Sequence, residues 1–155
     1  MVNWKIEKAI ASDADEITEL TIRSKDYWHY GEKQIAEWRD ELTITPGYIT
    51  ENEVYKIVDG DQILGFYAYQ PENDIDIKLN FLFIEPAFIG RGLGKLLLQD
   101  FFKRIEKTDH KRVLLDADPN AEQFYKRFGF KVIGQLETSI ENRFLPIMEL
   151  TKPFN

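Results

Sequence analysis

Apolar residues along the chain recur with two periods, and the switches between them set the predicted order of elements. Trp4 to Ala9 alternates closely enough to predict a first strand, and Ser12 with Asp15 then gives a helix-start signal of the capping-box kind, with Asp in place of Glu or Gln. The helix that follows puts Ile17, Leu20 and Ser24 on its inner face. Beyond the aromatic stretch Tyr27-Trp28-His29-Tyr30-Gly31, the residues Ile35, Trp38 and Leu42 repeat at helical spacing and predict a second helix. Thr45-Pro46 predicts one further short turn, because proline lacks an N–H and has the φ that a first helical position needs.

The period then shortens. Val54 to Val58 and Ile63 to Tyr69 are β-rich runs joined by Asp59-Gly60-Asp61-Gln62, whose Asp-Gly pair suits a tight antiparallel hairpin. After the polar loop Pro71 to Asp74, Ile75 to Ile84 predicts a long strand ending before Glu85-Pro86, at the expected centre of the sheet. A glycine-rich turn leads into a helix reaching about Lys107, with Leu96, Leu97, Phe101 and Ile105 at buried spacings. Val113 to Ala117 is a further strand, and Asn120 to Phe128 a helix that Gly129 ends with a left-handed cap. Phe130 to Leu136 and Leu145 to Leu150 close the chain as strands. This order, mostly strands with one β-α-β passage, predicts a mixed α/β sheet with helices on both faces.

Composition bounds what such a fold does. With 155 residues, 43% of them hydrophobic, the chain is expected to form one domain over 1–155. No apolar run approaches the roughly 20 residues of a membrane-spanning helix, and Met1-Val2-Asn3-Trp4-Lys5 lacks the order of a signal peptide. The expectation is a soluble, cytoplasmic protein without membrane contact. The absence of cysteine excludes disulfides, thiolate metal sites and a cysteine nucleophile, and no metal is expected. A net charge of -7 argues against nucleic acid as the partner and favours a basic amine. Nothing in the sequence argues for or against a homodimer.

The chemistry concentrates in Gly90-Arg91-Gly92-Leu93-Gly94-Lys95, a turn that runs from a strand into a helix. Such a turn presents free amides at a helix start, where the dipole favours an anion, and glycine lets phosphate oxygens come close. A P-loop would need glycine at Ile89 and Ser or Thr at Leu96, and a dinucleotide fingerprint counted from Gly90 would need glycine at Lys95. Both spacings fail, which leaves another phosphate-bearing coenzyme or a purely connecting turn.

The segment Leu82-Phe83-Ile84-Glu85-Pro86-Ala87-Phe88-Ile89-Gly90-Arg91-Gly92-Leu93-Gly94-Lys95-Leu96-Leu97 closely resembles the acetyl-CoA-binding segment of the GNAT superfamily of N-acetyltransferases. Asn120-Ala121-Glu122-Gln123-Phe124-Tyr125-Lys126-Arg127-Phe128-Gly129-Phe130 is similar to the later GNAT segment, in which a helix ends in a glycine-aromatic pair. The resemblance implies a mostly antiparallel sheet of six to seven strands, splayed at its centre and flanked by about four helices. It implies pantetheine contacts from the backbone of Leu82, Phe83 and Ile84, and pyrophosphate binding by Ile89 and by Gly90 to Lys95. Asn120 and Phe124 are implied beside the coenzyme, and Tyr125 as the acid that protonates the departing thiolate. Ile89 departs from the family pattern, which usually has Arg or Gln there, so only its amide remains for binding.

The implied activity is direct transfer of an acetyl group from acetyl-CoA to a primary amine of a small molecule, a peptide end or a lysine. Many GNAT enzymes carry a glutamate near the position of Lys78, which cannot act as a base while protonated. Asp76, on the same strand face, and His29, by its pKa, are candidate bases, with Asp116 a weaker one. Trp28, Tyr30 and Trp38 are candidates to line the acceptor site or to hold a cation, against the alternative of ordinary core packing. Arg143, after the polar loop Ser139 to Asn142, either meets an acidic group of the acceptor or pairs on the surface. The alternative to an enzyme is an acyl-CoA-binding sensor or interaction module of the same fold, favoured by Lys78 and Ile89 and opposed by Tyr125.

Overall fold

The computed structural model describes residues 3–138 and 143–154, so Met1 and Val2 of the N-terminal segment and the polar loop Ser139 to Asn142 lie outside the described residues. Seven strands, β1 (Trp4–Lys8), β2 (Glu53–Asp59), β3 (Gln62–Pro71), β4 (Asp76–Ile84), β5 (Arg112–Asp116), β6 (Lys131–Glu137) and β7 (Phe144–Thr151), form one sheet in the order β1-β2-β3-β4-β5-β7-β6. β4 and β5 run parallel, whereas β1–β2, β2–β3, β5–β7 and β6–β7 are antiparallel. The helices are α1 (Ala14–Asp26), α2 (Glu32–Leu42), α3 (Pro46–Glu51), α4 (Leu93–Glu106) and α5 (Glu122–Arg127). The mixed, mostly antiparallel sheet is as expected. The helix beyond the expected four is α3, predicted only as a short turn, where the Thr45 hydroxyl caps the Tyr48 N–H at 3.0 Å. Among the described residues no helix is long and apolar enough to cross a membrane.

The chain divides into two compact units, residues 1–69 with 81–101 and residues 70–80 with 102–155. In the first, Ala14, Ile17 and Leu20 of α1 bury against Val54, Val58, Ile63, Phe66 and Ala68 of the β2–β3 hairpin, with Phe81 and Phe83 of β4 packed alongside. Burying each large aliphatic or aromatic side chain contributes about 1.5–3 kcal/mol, so this seam holds α1 on the sheet. The Thr18 hydroxyl donates to the Ile44 carbonyl (3.1 Å) and accepts from its N–H (2.9 Å), which ties the chain between α2 and α3 to α1. On the opposite face Tyr55, Tyr67 and Tyr69 stack in a ladder against Phe101 of α4, and the Tyr67 hydroxyl donates to Asp100.

Two sequence expectations are corrected here. Ser12 and Asp15 do not start α1. A single 3-10 turn, Ala11–Asp13, precedes it, and the Asp13 carboxylate accepts the Ile10 N–H at 2.9 Å while pairing with Lys56 at 2.7 Å. The partner that selects Asp13 is distant in sequence, so local spacing did not show it. Leu96 is 39% exposed, and the buried stripe of α4 runs instead through Leu93, Leu97, Leu98, Phe101, Phe102 and Ile105.

In the second unit Ile77 and Leu79 of β4, Val113 and Leu115 of β5 and Met148 of β7 are buried, and Phe102, Phe130 and Phe154 stack together. The alternate positions carry charge: Arg112 pairs with Asp76 (2.7 Å) and Glu149 (3.1 Å), and Lys78 pairs with Asp116 (2.8 Å). The parallel β4–β5 ladder joins Asp76–Lys78 to Arg112–Leu114, while the β5–β7 ladder runs on to Asp116 and Ile147. Gly129 (φ 94) follows α5, and the Phe130 N–H returns to the Tyr125 carbonyl at 3.2 Å, closing the helix as predicted.

Candidate active site

The first unit carries the phosphate-binding turn. β4 ends at Ile84, and the Glu85 N–H donates to the Leu64 carbonyl at 2.8 Å, pinning the strand end to β3. Pro86–Phe88 form a 3-10 turn, the Ile89 N–H returns to the Pro86 carbonyl (3.2 Å), and the Arg91 N–H to that of Phe88 (3.3 Å). Gly90 (φ 88) and Gly92 (φ 85) occupy the left-handed region, and a Cβ added at either would meet nothing within 4 Å. The inner side of the turn is therefore open. The Leu96 N–H bonds the Gly92 carbonyl at 3.1 Å, so the amides of Leu93, Gly94 and Lys95 are among the N-terminal donors of α4 that the helix itself does not use. Open backbone, converging amides and the positive end of a helix together suit a pyrophosphate. The Arg91 guanidinium lies 5.0 Å over the Phe88 ring, half-way between a solvated surface residue and a phosphate ligand.

Leu82, Phe83 and Ile84 are half-buried. The Phe83 ring stacks with Phe66 at 6.2 Å, which turns its side chain into the core and leaves its backbone for a ligand. Opposite it β3 has Gly65, where an added Cβ would come within 2.9 Å of the Phe83 carbonyl and 3.3 Å of Leu97. Glycine lets α4 and the end of β4 close on β3.

In the second unit, Tyr125 is buried, and burial pushes its phenol well above the ordinary range, with the Asp118 charge adding to the effect. It packs edge-on against Phe124 (5.2 Å) and Phe130 (5.5 Å). Where Tyr55 donates to Glu53 and Tyr67 to Asp100, no hydrogen bond from the Tyr125 hydroxyl is recorded among the described residues. Asp118 accepts from the backbone and side-chain nitrogens of Asn120 (both 2.9 Å), fixing that side chain, and meets Arg143 at 3.4 Å. Arg143 thus has an internal acidic partner.

The base candidates separate. Asp76 is buried and receives two hydrogen bonds from Arg112 (2.7 and 3.1 Å) and one from Asn73 (3.1 Å), which hold its carboxyl below the ordinary range. A carboxylate so engaged has the geometry of a structural ion pair and is a poor proton acceptor. Asp116 is likewise paired with Lys78. His29 is exposed and holds a left-handed backbone (φ 61), its N–H returning to the Asp26 carbonyl at 2.9 Å.

His29 and Trp28 come together in a cavity of about 740 Å³ lined also by Arg23, Asp26, Tyr27, Glu85, Pro86 and Ala87. Tyr30 and Trp38 do not line it. They pack edge-to-face at 4.9 Å with the Lys25 ammonium over both rings, and Trp38 is buried, which is the core-packing alternative. Arg23 and Glu85, across the cavity, form a bidentate pair (2.6–3.3 Å) that raises the Arg23 pKa. Sequence reasoning missed Asp26, Tyr27 and Glu85. The signal available was the end of the helical period at Asp26 and the Glu-Pro step after β4, and only folding shows that these two breaks meet.

Known proteins share these features. The profile of the Acetyltransferase (GNAT) domain matches residues 27–151. The chain spans about half the length of an uncharacterized N-acetyltransferase, ycf52, of Gracilaria tenuistipitata var. liui, with 28% identity over 90 residues, 58% of this chain and 50% of that protein. It is 25% identical over 147 residues to the peptidyl-lysine N-acetyltransferase YjaB of Escherichia coli (strain K12), covering 94% of each chain. The spermine/spermidine N(1)-acetyltransferase of Bacillus subtilis (strain 168) is 36% identical over 90 residues, 51% of this chain and 59% of that one. In fold, the PaiA N-acetyltransferase of Thermoplasma acidophilum, solved with coenzyme A, superposes with a TM-score of 0.80 at 19% identity over 97% of this chain and 99% of that one. With the glycine turn, the sheet order and the matched profile in agreement, the chain belongs to the GNAT acetyltransferase family.

Proposed function

We propose that the chain, acting as one GNAT domain over 1–155, is an acetyl-CoA-dependent N-acetyltransferase that transfers the acetyl group directly to a primary amine of a small molecule, a peptide end or a lysine. The observation that carries it is the turn Gly90 to Lys95, with its two left-handed glycines, open inner side and unused helix amides. Amides fixed by the fold bind phosphate without paying for reorganisation, which is why the loss of a side-chain donor at Ile89 is tolerated. Positioning of the amine against the thioester supplies much of the rate. The backbone N–H near Phe83 would polarise the thioester carbonyl. Tyr125 would deliver the proton to the departing thiolate: a phenol kept neutral by burial, with no recorded hydrogen bond from its hydroxyl, is suited to donate rather than accept. Of the bases considered, His29 is the one left with an exposed side chain, and an amine of low pKa needs none.

Acetyl-CoA at about 100 times its Kd should stabilise the fold by about 2.7 kcal/mol, read as a rise in Tm of several degrees. An unchanged Tm at saturating acetyl-CoA would defeat the proposal. Tyr125→Phe should retain that shift while kcat falls about 100-fold or more, and wild-type turnover in this variant would remove Tyr125 as the acid. Acetyl-CoA binding with no turnover on any amine would instead favour the coenzyme-binding sensor, for which the neutralised Lys78–Asp116 pair is the supporting contact.

A further inference from the structure

The cavity at the end of α1 has a charge and shape that the transfer reaction itself does not require. It sits at the C-terminus of α1, where the carbonyl ends of the helix concentrate partial negative charge. Glu85 is neutralised by its bidentate pair with Arg23, whereas Asp26, exposed on the same rim, forms no recorded ion pair among the described residues. One uncompensated carboxylate therefore remains. Tyr27 and Trp28 stand edge-to-face at 5.0 Å and are each 43% exposed, so two large rings that would ordinarily be buried present apolar, electron-rich surface to solvent. Pro86 and Ala87 complete an apolar wall immediately before the phosphate-binding turn, in the same unit. At about 740 Å³ the cavity is within the usual range for small-molecule sites.

We propose that this cavity receives a second, non-reacting cationic group of the acceptor, with Asp26, the α1 carbonyl end and the faces of Tyr27 and Trp28 as its ligands, so that the chain prefers linear diamines and longer polyamines to monoamines. The assignment rests on the acetyl-transfer function proposed above and narrows its acceptor. A monocation leaves Asp26 and the rings solvated, whereas a diamine engages them with its far ammonium while the near amine, deprotonated, attacks. The net charge of -7 adds a general attraction for such ligands but cannot discriminate positions within them.

The test uses the full chain with acetyl-CoA and compares 1,4-diaminobutane with n-butylamine and Nα-acetyl-lysine amide, reading free coenzyme release. Calorimetric binding of each amine to the protein with coenzyme A is measured in parallel. The diamine should give the highest kcat/KM, and Asp26→Asn and Trp28→Ala should each lower the diamine-to-monoamine ratio three- to tenfold, the size expected for exposed cation–ring and charge contacts. Circular dichroism and Tm of both surface variants confirm that they fold. Equal kcat/KM for the diamine and the monoamines, or a ratio unmoved by both variants, overturns the assignment. If no amine turns over while acetyl-CoA binds, diamine binding that does not weaken in Asp26→Asn overturns it equally. Failure of acetyl-CoA to bind strikes the transfer function instead, and diamine binding dependent on Asp26 would then still stand for the cavity.

Discussion

Replacing Gly65 by alanine tests the contact that brings the phosphate-binding helix and the end of β4 onto β3. The new Cβ would lie 2.9 Å from the Phe83 carbonyl oxygen, 3.0 Å from Ile84 Cδ1 and 3.3 Å from Leu97 Cδ1. The side chains can give by a few tenths of an ångström, but the carbonyl belongs to backbone that is anchored by the Glu85 to Leu64 hydrogen bond at 2.8 Å. Overpacking of this kind costs about 1–3 kcal/mol, and the lower conformational entropy of alanine in the unfolded chain offsets about 0.5–1 kcal/mol. With the rigid contact placing the cost in its upper half, the net loss is about 1–2 kcal/mol. For a chain of this length it lowers Tm by about 2–8 °C. Urea and thermal unfolding of Gly65→Ala measure this directly. Gly134→Ala on β6 is the control, because its Cβ meets only Ile147 Cδ1 at 3.6 Å, an ordinary contact, and should be neutral or slightly stabilising. The Phe83 carbonyl lies on the strand proposed to face pantetheine, so Gly65→Ala should also weaken acetyl-CoA binding. Equal stability of the Gly65 and Gly134 variants would refute the packing account.

Gly92→Ala should cost about 1–2 kcal/mol because φ 85 is strained for any residue with a Cβ, and calorimetry should show weaker acetyl-CoA binding although nothing clashes with the new methyl. Asp76→Asn should destabilise the fold by about 1.5–3 kcal/mol at neutral pH through loss of its charged hydrogen bonds to Arg112. Because the folded carboxyl titrates below its unfolded value, the stabilisation is complete above about pH 4, the unfolded range, and is lost as pH falls through the folded value; the gap between wild type and variant in denaturant melts should close over that acidic interval. Tyr125, its phenol raised by burial, should contribute no ionisation to the pH–rate profile below about pH 10, and a tyrosine-dependent alkaline limb beneath that would contradict its environment.

Much of the coenzyme half was legible from sequence because its determinants are local. Gly90 and Gly92 take the left-handed φ that their spacing implied, and Gly129 closes α5 as predicted, since backbone sterics act residue by residue. The β2–β3 hairpin also followed from a local signal, with Gly60 at φ 60 between Asp59 and Gln62. Charged residues were not legible in the same way. Asp76, chosen for its strand face, has that face, but the parallel pairing of β4 with β5 sets Arg112 directly opposite it and makes it an ion-pair partner. Asp13 likewise forms its pair with Lys56, whose approach depends on how β2 lies in the sheet.

The aromatic stretch after α1 shows the same division within a few residues. Its composition marked Trp28, Tyr30 and Trp38 alike, yet Trp38 is buried against Tyr30 beneath Lys25 while Trp28 and Tyr27 stay exposed around the cavity with Asp26 and His29. Sequence alone determined the order of strands and helices and the conformation of the phosphate-binding turn, because periodicity and glycine sterics are properties of neighbouring residues. Tertiary structure decided which carboxylates are tied up in ion pairs, which aromatic rings reach solvent, and that Glu85 and Arg23 meet across the end of α1. Those outcomes depend on distances between residues far apart in the chain, and pairing energies set by such distances are not written in local spacing.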